Sequence, residues 1–344
     1  MPPTLAELTT LRVGGPARTV VVAEDEAQLV AAVRAADATG TPALLVGGGS
    51  NLVVGDDGYP GTVVLVRTRG VSAEADTCGG AWVTVAAGEP WDAVVARAVA
   101  EEWAGVEALS GIPGSTGATP VQNVGAYGQE VGDVIARVRT LDRRTGRQRT
   151  FMAADCGFGY RTSGFKSDAW RYVVLDVSFQ LRLSPLSDPV RYGELAQVLG
   201  VEVGQRAPLR DVRDAVLDLR RAKGMVLDDA DHDTWSVGSF FTNPVLDAAA
   251  AEGLPPDAPR YPAVDGRVKT SAAWLIERSG VRRGHSLGSP AAVSTKHTLA
   301  LTNRGGASAT DVVSLAADVR ARVRAEFGIT LEPEPTLVGC ALPA

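Results

Sequence analysis

Two glycine-rich segments of the chain have the composition of a site for a phosphorylated ligand. The first, Gly47-Gly48-Gly49-Ser50-Asn51, directly follows a short apolar stretch at 42–46. Glycines have no β-carbon, so backbone N–H groups can come close to a ligand, and a concave run of such groups binds anionic oxygen. The segment is not a dinucleotide fingerprint, because Leu52 replaces the third glycine, and no lysine follows a glycine as in a P-loop. A tight turn between two strands is an equally good interpretation.

The second segment is Ile112–Gly128, in a region with five glycines between positions 111 and 128. Uncharged hydrogen-bonding side chains are interleaved with these glycines, namely Ser115, Thr116, Thr119, Gln122 and Asn123. A loop of more than about 12–15 residues without regular structure is usually functional, and ordering it without a ligand would cost conformational entropy. The composition predicts a loop that wraps a pyrophosphate or a ring with many hydrogen-bonding atoms. A coil that links two helices is the alternative.

Three shorter segments place a charged or hydroxyl side chain among small and apolar residues. They are Phe158-Gly-Tyr-Arg161 with Lys166 nearby, Gly238-Ser239-Phe240-Phe241-Thr242-Asn243-Pro244, and Glu332-Pro333-Glu334. The arginine offers a planar fork that fits a carboxylate. Ser239 does not lie in a Gly-x-Ser-x-Gly motif, so it is not predicted to be a hydrolase nucleophile. Taken singly, each segment is also explained by a surface arginine, a turn serine or a solvated tail.

Length and composition limit the class of protein. A chain of 344 residues predicts two or three domains, and 45% hydrophobic with 22% charged residues is ordinary for a folded protein. The net charge of −6 argues against a general nucleic-acid binder. Three widely spaced cysteines and three scattered histidines predict neither a disulfide framework nor a metal site. Without a basic start followed by an apolar run, we expect a cytoplasmic protein with no membrane insertion.

The elements expected from periodicity and turn residues alternate between helices and strands, which is typical of an α+β protein. A strand followed by a helix is predicted over Val20–Gly40, with Leu29, Val33 and Ala36 on the apolar face of the helix. Further strands are predicted at 42–46, 61–66, 81–86, 136–141 and 172–183, and further helices at 91–102, 209–223, 271–278 and 309–327. Three prolines between 185 and 208 indicate a linker-like stretch.

The order of these segments resembles one enzyme family. From about residue 8 to 339, the motifs of the UDP-N-acetylenolpyruvoylglucosamine reductase family are matched in order by Thr10–Gly15, Gly47–Asn51, Ile112–Gly128, Phe158–Arg161, Gly238–Pro244 and Leu331–Glu334. Val190–Glu194 and Tyr261–Lys269 resemble its type I subgroup, in which an extra loop with a tyrosine covers the substrate. Each motif alone is weak, but all of them in order are specific.

The resemblance implies a vanillyl-alcohol-oxidase/PCMH-like, two-part FAD-binding fold of the α+β class with a third, substrate-binding α/β domain. The expected domains are residues 1–70 and 71–223 for FAD and 224–329 for substrate, with 330–344 returning to the first domain. It also implies reduction of UDP-N-acetylglucosamine enolpyruvate to UDP-N-acetylmuramate in peptidoglycan biosynthesis. NADPH is the expected reductant, FAD the cofactor, and a monomer the expected state.

The resemblance further assigns roles to individual residues. Arg161, Ser239 and Glu334 match the catalytic residues: the arginine stabilises the developing enolate, the glutamate is its partner, and the serine donates a proton. The cofactor-binding positions are matched by Gly47, Gly48, Gly49, Ser50, Asn51, Pro113, Gly114, Ser115, Gly117, Ala118, Asn123, Gly125, Ala126 and Tyr127. The substrate-binding positions are matched by Tyr192, Lys223, Asn243, Tyr261 and Lys269. A serine is a poor acid in water, so a water or Lys223 is expected behind Ser239.

Two departures and two alternatives accompany this interpretation. Thr242 stands where some relatives have a lysine, and the segment between Lys223 and Ser239 is longer than expected. The first histidine is His232, so no histidine of the first two predicted domains can attach the flavin, and FAD is expected to be non-covalent. The alternatives are another FAD-dependent oxidase or dehydrogenase of this fold and a non-catalytic nucleotide-sugar binding protein.

Overall fold

The computed structural model describes residues 3–343. The helices α1–α8 are Glu26–Ala38, Trp91–Ala100, Gly164–Ser167, Gly193–Leu199, Leu209–Ala222, Ala248–Glu252, Ala272–Arg278 and Ala309–Phe327. The strands β1–β19 are Ala17–Ala23, Ala43–Val46, Leu52–Val54, Tyr59–Val66, Val71–Asp76, Gly80–Ala86, Trp103–Ala104, Gly125–Ala126, Gln129–Glu130, Ile135–Asp142, Arg147–Met152, Tyr172–Leu183, Ser236–Ser239, Val245–Leu246, Tyr261–Pro262, Val268–Lys269, Ala291–Val293, Ala300–Asn303 and Thr336–Val338. This mixture of elements agrees with the predicted α+β class.

The described chain divides into two compact units. The larger unit comprises residues 18–48 and 60–226, and the smaller unit comprises residues 3–17, 49–59 and 227–343. The three-domain organisation predicted with boundaries at residues 70 and 223 stays a prediction. Residues 1, 2 and 344, which belong to its two ends, lie outside the described residues.

The larger unit contains two main sheets. Strands β1, β4 and β2 form the first sheet, in which β2 and β4 run parallel. The second sheet has six strands, in the order β11, β10, β12, β6 and β5 with β7 also paired to β12, and every adjacent pair in it is antiparallel. Trp91 of α2 packs on Phe179 of β12 with ring centroids 5.6 Å apart, and both side chains are buried. The long antiparallel sheet therefore supports the start of α2, next to the second glycine-rich segment.

Helix α1 forms as its apolar spacing predicts. The side chain of Asp25 accepts a hydrogen bond from the N–H of Gln28 and caps the first turn. The expected face, Leu29, Val33 and Ala36, is buried. The helix ends at Ala38, just before a glycine with a positive φ, which is a common way for a helix to stop.

Two expectations for the larger unit differ from the structure. The helix predicted to reach residue 102 ends at Ala100, because Glu102 has a φ of +57° and cannot continue a right-handed helix. The stretch predicted to be linker-like contains α4. This helix packs Leu195 and Ala196 against Val212 and Val216 of α5, so tertiary packing stabilises a helix that is too short to be recognised by periodicity.

The smaller unit is organised around its longest helix, α8, which has the predicted bounds. Ser308 and Asp311 form a reciprocal capping box at its start. Its buried face packs with residues of the antiparallel sheet β13-β18-β17. Strand β19, near the C-terminus, runs parallel to β3, and strands β14, β16 and β15 form a small antiparallel sheet. These short strands position the serine and glutamate segments described below.

Candidate active site

The two predicted cofactor-binding glycine segments meet in the larger unit. A β-carbon on Gly47 would lie 2.1 Å from Ser115 Oγ, and one on Gly48 would lie 2.5 Å from the Cα of Gly114. Gly48 requires glycine because its β-carbon would meet backbone, whereas a side chain at Gly47 would first have to displace the Ser115 hydroxyl. The residues that follow β2 and the start of the segment 112–128 therefore form one backbone-rich cluster, although they are far apart in the sequence.

The segment 112–128 is held by the protein's own backbone. The N–H of Trp91 donates a 3.0 Å hydrogen bond to the carbonyl oxygen of Gly114, and the N–H of Gly117 donates a 2.8 Å bond to that of Ala87. A β-carbon on Gly117 would lie 2.5 Å from the β-carbon of Ala87, so this approach also needs a glycine. Pro113 and Ala118 flank these anchors. The loop is thus ordered in advance, which lowers the entropy cost of binding a ligand.

Arg67 lies at the same cluster and was missed by the sequence analysis. Its Nη1 donates a 2.8 Å hydrogen bond to the carbonyl oxygen of Gly47. Burial, together with the nearby charge of Arg69, lowers the pKa of the Arg67 guanidinium. Two arginines, at positions 67 and 69, just after the largely apolar strand β4 were the available signal. A partly buried cation at this place suits a diphosphate.

The residues from Asn123 onward form a tight hairpin in the larger unit. Strand β8 pairs with β9, so that Gly125 lies opposite Glu130. The two residues between the strands, Tyr127 and Gly128, both have positive φ, +48° and +86°, as a type I′ turn requires. Tyrosine rarely adopts this conformation, so its presence here indicates a specific role. Ala126 lies beside Tyr127 in the same hairpin.

Arg161 lies at the tip of a two-residue turn in the larger unit. Gly159 and Thr162 exchange backbone hydrogen bonds of 3.1 and 3.2 Å across the turn, and Arg161 has a φ of +53°. Its Nη2 donates a 2.7 Å hydrogen bond to the carbonyl oxygen of Gly125. A β-carbon on Gly125 would lie 3.1 Å from Arg161 Nη1, so the glycine makes room for the guanidinium. The loop 112–128 and the predicted catalytic arginine are therefore in contact.

Tyr192, Lys223 and Tyr127 are brought together in the larger unit. The rings of Tyr127 and Tyr192 meet edge to face with centroids 5.4 Å apart, and Lys223 Nζ lies 5.6 Å from the Tyr127 centroid. Lys223 Nζ also forms a 2.5 Å ion pair with Glu194 Oε2. Burial raises the pKa of the Tyr127 phenol to about 12. Tyr127, which is assigned to the cofactor, thus contacts Tyr192 and Lys223, which are assigned to the substrate.

Arg220 is a second residue that the sequence analysis missed. Its Nη2 donates a 2.8 Å hydrogen bond to the carbonyl oxygen of Met225, and burial lowers the pKa of its guanidinium to about 10. The charge of this guanidinium favours ionisation of Tyr127, so the two side chains are electrostatically linked. The sequence did contain a signal for this residue, because Arg220 lies three residues before the predicted ligand Lys223, a spacing that places two side chains on the same face of a helix.

Ser239 and Glu334 lie close together in the smaller unit. Ser239 ends strand β13 and pairs with Ala300. The next residue, Phe240, accepts a 2.8 Å hydrogen bond from the N–H of Glu334, and the N–H of Thr242 donates a 3.0 Å bond to the carbonyl oxygen of Glu332. This pairing joins two predicted catalytic segments that are far apart in the sequence. The Glu332 carboxylate lies 3.7 Å from Arg320 Nη2, and 69% of its side chain is exposed.

Gly49, Ser50 and Asn51 belong to the smaller unit. A β-carbon on Gly49 would lie 2.0 Å from the carbonyl oxygen of Leu8, and the φ of Gly49 is +64°, so this position also requires glycine. Asn51 Nδ2 donates a 3.4 Å hydrogen bond to the carbonyl oxygen of Glu334. The predicted cofactor residue Asn51 therefore contacts the backbone of the predicted catalytic glutamate.

The remaining substrate residues lie around the small sheet of the smaller unit. Tyr261 of β15 is directly opposite Lys269 of β16, and 49% of Tyr261 is exposed. The side-chain oxygen of Asn243 accepts a 2.9 Å hydrogen bond from the N–H of Ala272, in the first turn of α7. The segment 243–272 thus presents one amide, one phenol and one ammonium group.

A hydrolase nucleophile, a metal site or a membrane-spanning helix among residues 3–343 would indicate a different class of protein. Gly284-His285-Ser286-Leu287-Gly288 matches the hydrolase pattern Gly-x-Ser-x-Gly, and His285 Nε2 lies 2.9 Å from Asp318 Oδ2. However, the segment joins α7 to β17 and lacks the strand-to-helix turn of a nucleophile elbow. Within the described residues, no group of three or more potential metal ligands and no helix long and apolar enough to cross a membrane is found.

Comparisons with known proteins cover nearly the whole chain. One family model, described as an FAD binding domain, matches residues 17–151, and another, described as UDP-N-acetylenolpyruvoylglucosamine reductase, C-terminal domain, matches residues 229–338. UDP-N-acetylenolpyruvoylglucosamine reductase of Cutibacterium acnes is 57% identical over 98% of this chain and 90% of its own length. The enzyme of the same name from Salinispora arenicola is also 57% identical, over 98% of this chain and 95% of its own length.

Solved structures agree with these sequence relatives. The crystal structure of UDP-N-acetylenolpyruvylglucosamine reductase from Thermus caldophilus aligns with a TM-score of 0.65 and 26% identity. The alignment covers 98% of this chain and 97% of the other. The FAD-binding model and this structure confirm the predicted two-part flavin-binding fold.

Proposed function

Because the chain belongs to the UDP-N-acetylenolpyruvoylglucosamine reductase family, we propose that it reduces UDP-N-acetylglucosamine enolpyruvate to UDP-N-acetylmuramate. The reaction uses NADPH and FAD and belongs to peptidoglycan biosynthesis. The observation that carries the proposal is the backbone pairing of Glu334 with Phe240, next to Ser239. It brings together the segments that carry two of the three predicted catalytic residues, as a site that protonates a substrate needs.

FAD fits the glycine cluster. The β-carbon positions of Gly47 and Gly48 lie within 2.5 Å of Ser115 and Gly114, so the two glycine segments pack closely against each other, and Arg67 adds a partly buried positive charge. The residues proposed to hold FAD are those assigned by resemblance, with Arg67 as an addition. Both amide hydrogens of the Asn123 side chain are used within the protein, so its contact with FAD would come from the backbone. When bound, FAD supplies hydride transfer from NADPH to the terminal enol carbon of the substrate.

Arg161 stabilises the charge that develops during reduction. Hydride addition to the enolpyruvyl double bond places negative charge on the neighbouring carbon, where it is shared with the substrate carboxylate. A guanidinium aimed at this enolate lowers the barrier by about 3 kcal/mol, as removal of one such donor typically costs. The contact with Gly125 and the unusual turn keep this guanidinium in one orientation before substrate arrives.

Ser239 delivers the proton that completes the lactyl ether, and Glu334 assists as the partner carboxylate. A serine hydroxyl needs a second group that restores its proton. The Lys223 ammonium is engaged by Glu194, so a water is the better candidate for that second group. Strand pairing holds the Ser239 and Glu334 segments in register, which supports a joint role.

We propose that the nucleotide sugar is held by the five substrate residues assigned by resemblance. We assign Lys223 and Lys269 to the diphosphate, where ammonium groups are effective counter-charges. Tyr192, Asn243 and Tyr261 are assigned to the sugar and nucleotide. Tyr192 is 45% exposed and Tyr261 is 49% exposed, which supports contacts of these side chains with a ligand. We further propose a type I enzyme that works as a cytoplasmic monomer on small-molecule substrates, with the three-domain organisation predicted from sequence.

A visible spectrum of the purified protein tests the function. We expect a yellow protein that bleaches with NADPH under anaerobic conditions and regains its absorbance when UDP-N-acetylglucosamine enolpyruvate is added. Reoxidation by air but not by this substrate would instead indicate an oxidase of the same fold. A protein that stays colourless with added FAD would indicate a nucleotide-sugar binding protein without flavin.

A further inference from the structure

The backbone of Arg161 is held in a conformation that arginine rarely adopts. Its φ of +53° lies in the left-handed region, which is unfavourable for an L-residue other than glycine. Such a conformation persists only when the surrounding structure imposes it. The two backbone hydrogen bonds between Gly159 and Thr162 close the turn, but further contacts determine where its tip lies.

Asn123 holds the first carbonyl group of the turn. Its Nδ2 donates a 3.1 Å hydrogen bond to the carbonyl oxygen of Gly159 and a 2.7 Å bond to Glu130 Oε2. Its Oδ1 accepts a 2.8 Å hydrogen bond from the N–H of Gly132. The side chain is 98% buried, since only 2% of it is exposed. Three hydrogen bonds and this burial make Asn123 a rigid support.

Lys166 holds the carbonyl group at the tip of the turn. Its Nζ donates a 3.1 Å hydrogen bond to the carbonyl oxygen of Arg161. The lysine belongs to the short helix α3, whose N-cap, Ser163, is buried and donates a 2.5 Å hydrogen bond to the carbonyl oxygen of Val121. A hydrogen bond from an ammonium group is stronger than a neutral one, so it can offset the cost of the left-handed conformation.

The same loop also fixes the far end of the arginine. Gly125, two residues after Asn123, accepts the hydrogen bond from Arg161 Nη2. Thus one loop binds both the turn and the guanidinium, while Lys166 binds the backbone between them. We propose that Asn123 and Lys166 are positioning residues that clamp the Arg161 turn and so aim its guanidinium at the substrate. This inference rests on the proposed catalytic role of Arg161.

The test uses the flavin-loaded enzyme and separates the two half-reactions by stopped flow. We expect Lys166→Met to slow flavin reoxidation by UDP-N-acetylglucosamine enolpyruvate by about 10- to 100-fold, the loss that a small misplacement of a catalytic group causes. Reduction of the flavin by NADPH and the dissociation constant for FAD stay unchanged, and Lys166→Arg restores most of the rate. Lys296→Met, which removes a lysine paired with Asp231 in the smaller unit, is the matched control and leaves both half-reactions unchanged.

A double-mutant cycle decides whether Lys166 acts through Arg161. If it does, Lys166→Met has little further effect in an Arg161→Lys background. An equal loss in both backgrounds, or an equal slowing of the NADPH step, would overturn the inference. If the parent enzyme is not reoxidised by this substrate, the proposed function fails instead. The clamp is then judged from a crystal structure of Lys166→Met, in which an unchanged Arg161 φ and Gly125 contact would overturn it.

Discussion

The backbone N–H of Glu334 donates a 2.8 Å hydrogen bond to the carbonyl oxygen of Phe240. Ser239 is the residue before Phe240 and is itself fixed by pairing with Ala300 of strand β18. The side chains of Phe240 and Phe241 are fully buried, so this strand pair cannot shift without opening the core of the smaller unit. The two residues assigned to proton delivery are therefore attached to buried, hydrogen-bonded backbone of that unit.

Replacement of the proposed proton donor tests its role directly. We expect Ser239→Ala to slow reoxidation of the reduced flavin by the enolpyruvyl substrate by about 10²- to 10⁴-fold, the usual contribution of a general acid. The NADPH step does not need this proton and keeps its rate. Ser314→Ala, on the exposed face of α8, is the control with the same atoms removed. Unchanged reoxidation in Ser239→Ala would assign the proton to another group.

The glycine cluster predicts a specific loss of cofactor. In Gly48→Ala, the new β-carbon would lie 2.5 Å from the Cα of Gly114, so one of the two segments must move. Overpacking of this kind costs about 1–3 kcal/mol, which corresponds to an increase of roughly tenfold or more in the dissociation constant for FAD. Flavin fluorescence measures that constant. Gly193→Ala is the control, because nothing lies within 4 Å of its β-carbon position. An affinity for FAD in Gly48→Ala equal to that of the parent would contradict the proposed role of the glycine cluster in FAD binding.

The ion pair of Lys223 with Glu194 predicts opposite effects of its two partners on substrate binding. Lys223 Nζ lies 2.5 Å from Glu194 Oε2, so a diphosphate bound by Lys223, as proposed, would compete with the Glu194 carboxylate. We expect Lys223→Met to raise KM for the nucleotide sugar by about tenfold and Glu194→Gln to lower it by a small factor, with kcat nearly constant. Glu202→Gln, at an exposed position, leaves KM unchanged. A higher KM in Glu194→Gln would show that the glutamate itself supports the substrate.

The raised pKa of Tyr127 predicts a dependence of stability on alkaline pH. The folded phenol has a pKa of about 12, because burial disfavours the phenolate, whereas an unfolded tyrosine has a pKa of about 10. Between these values the unfolded chain loses a proton that the folded chain keeps, so this group's contribution to the free energy of unfolding falls as pH rises. Urea unfolding of the parent and Tyr127→Phe measures the difference, which shrinks above about pH 10. A constant difference would contradict the buried neutral phenol.

Much of the local structure follows from the sequence. The apolar spacing of Leu29, Val33 and Ala36 placed α1, and the pattern from Ala309 to Phe327 gave the bounds of α8 without error. The order of the motifs predicted the family and the fold correctly. Such motifs are recognisable because the backbone of Gly114 packs against Gly48 so closely that only glycine fits there. Helix α4 was missed because seven residues are too few to show a period and depend on packing against α5.

The relations between distant residues were decided by tertiary structure alone. No local pattern predicts that the N–H of Glu334 donates a hydrogen bond to the carbonyl oxygen of Phe240. Nor does one predict that the amide group of Asn123 donates hydrogen bonds to Gly159 and Glu130. The hydrogen bond from Arg67 to Gly47 is equally invisible in the sequence. These contacts depend on strand register and on which loops the core brings together. The sequence by itself determined which residue types could do the chemistry. Only the folded chain decided their partners, because a hydrogen bond depends on distance and angle in space and not on separation along the chain.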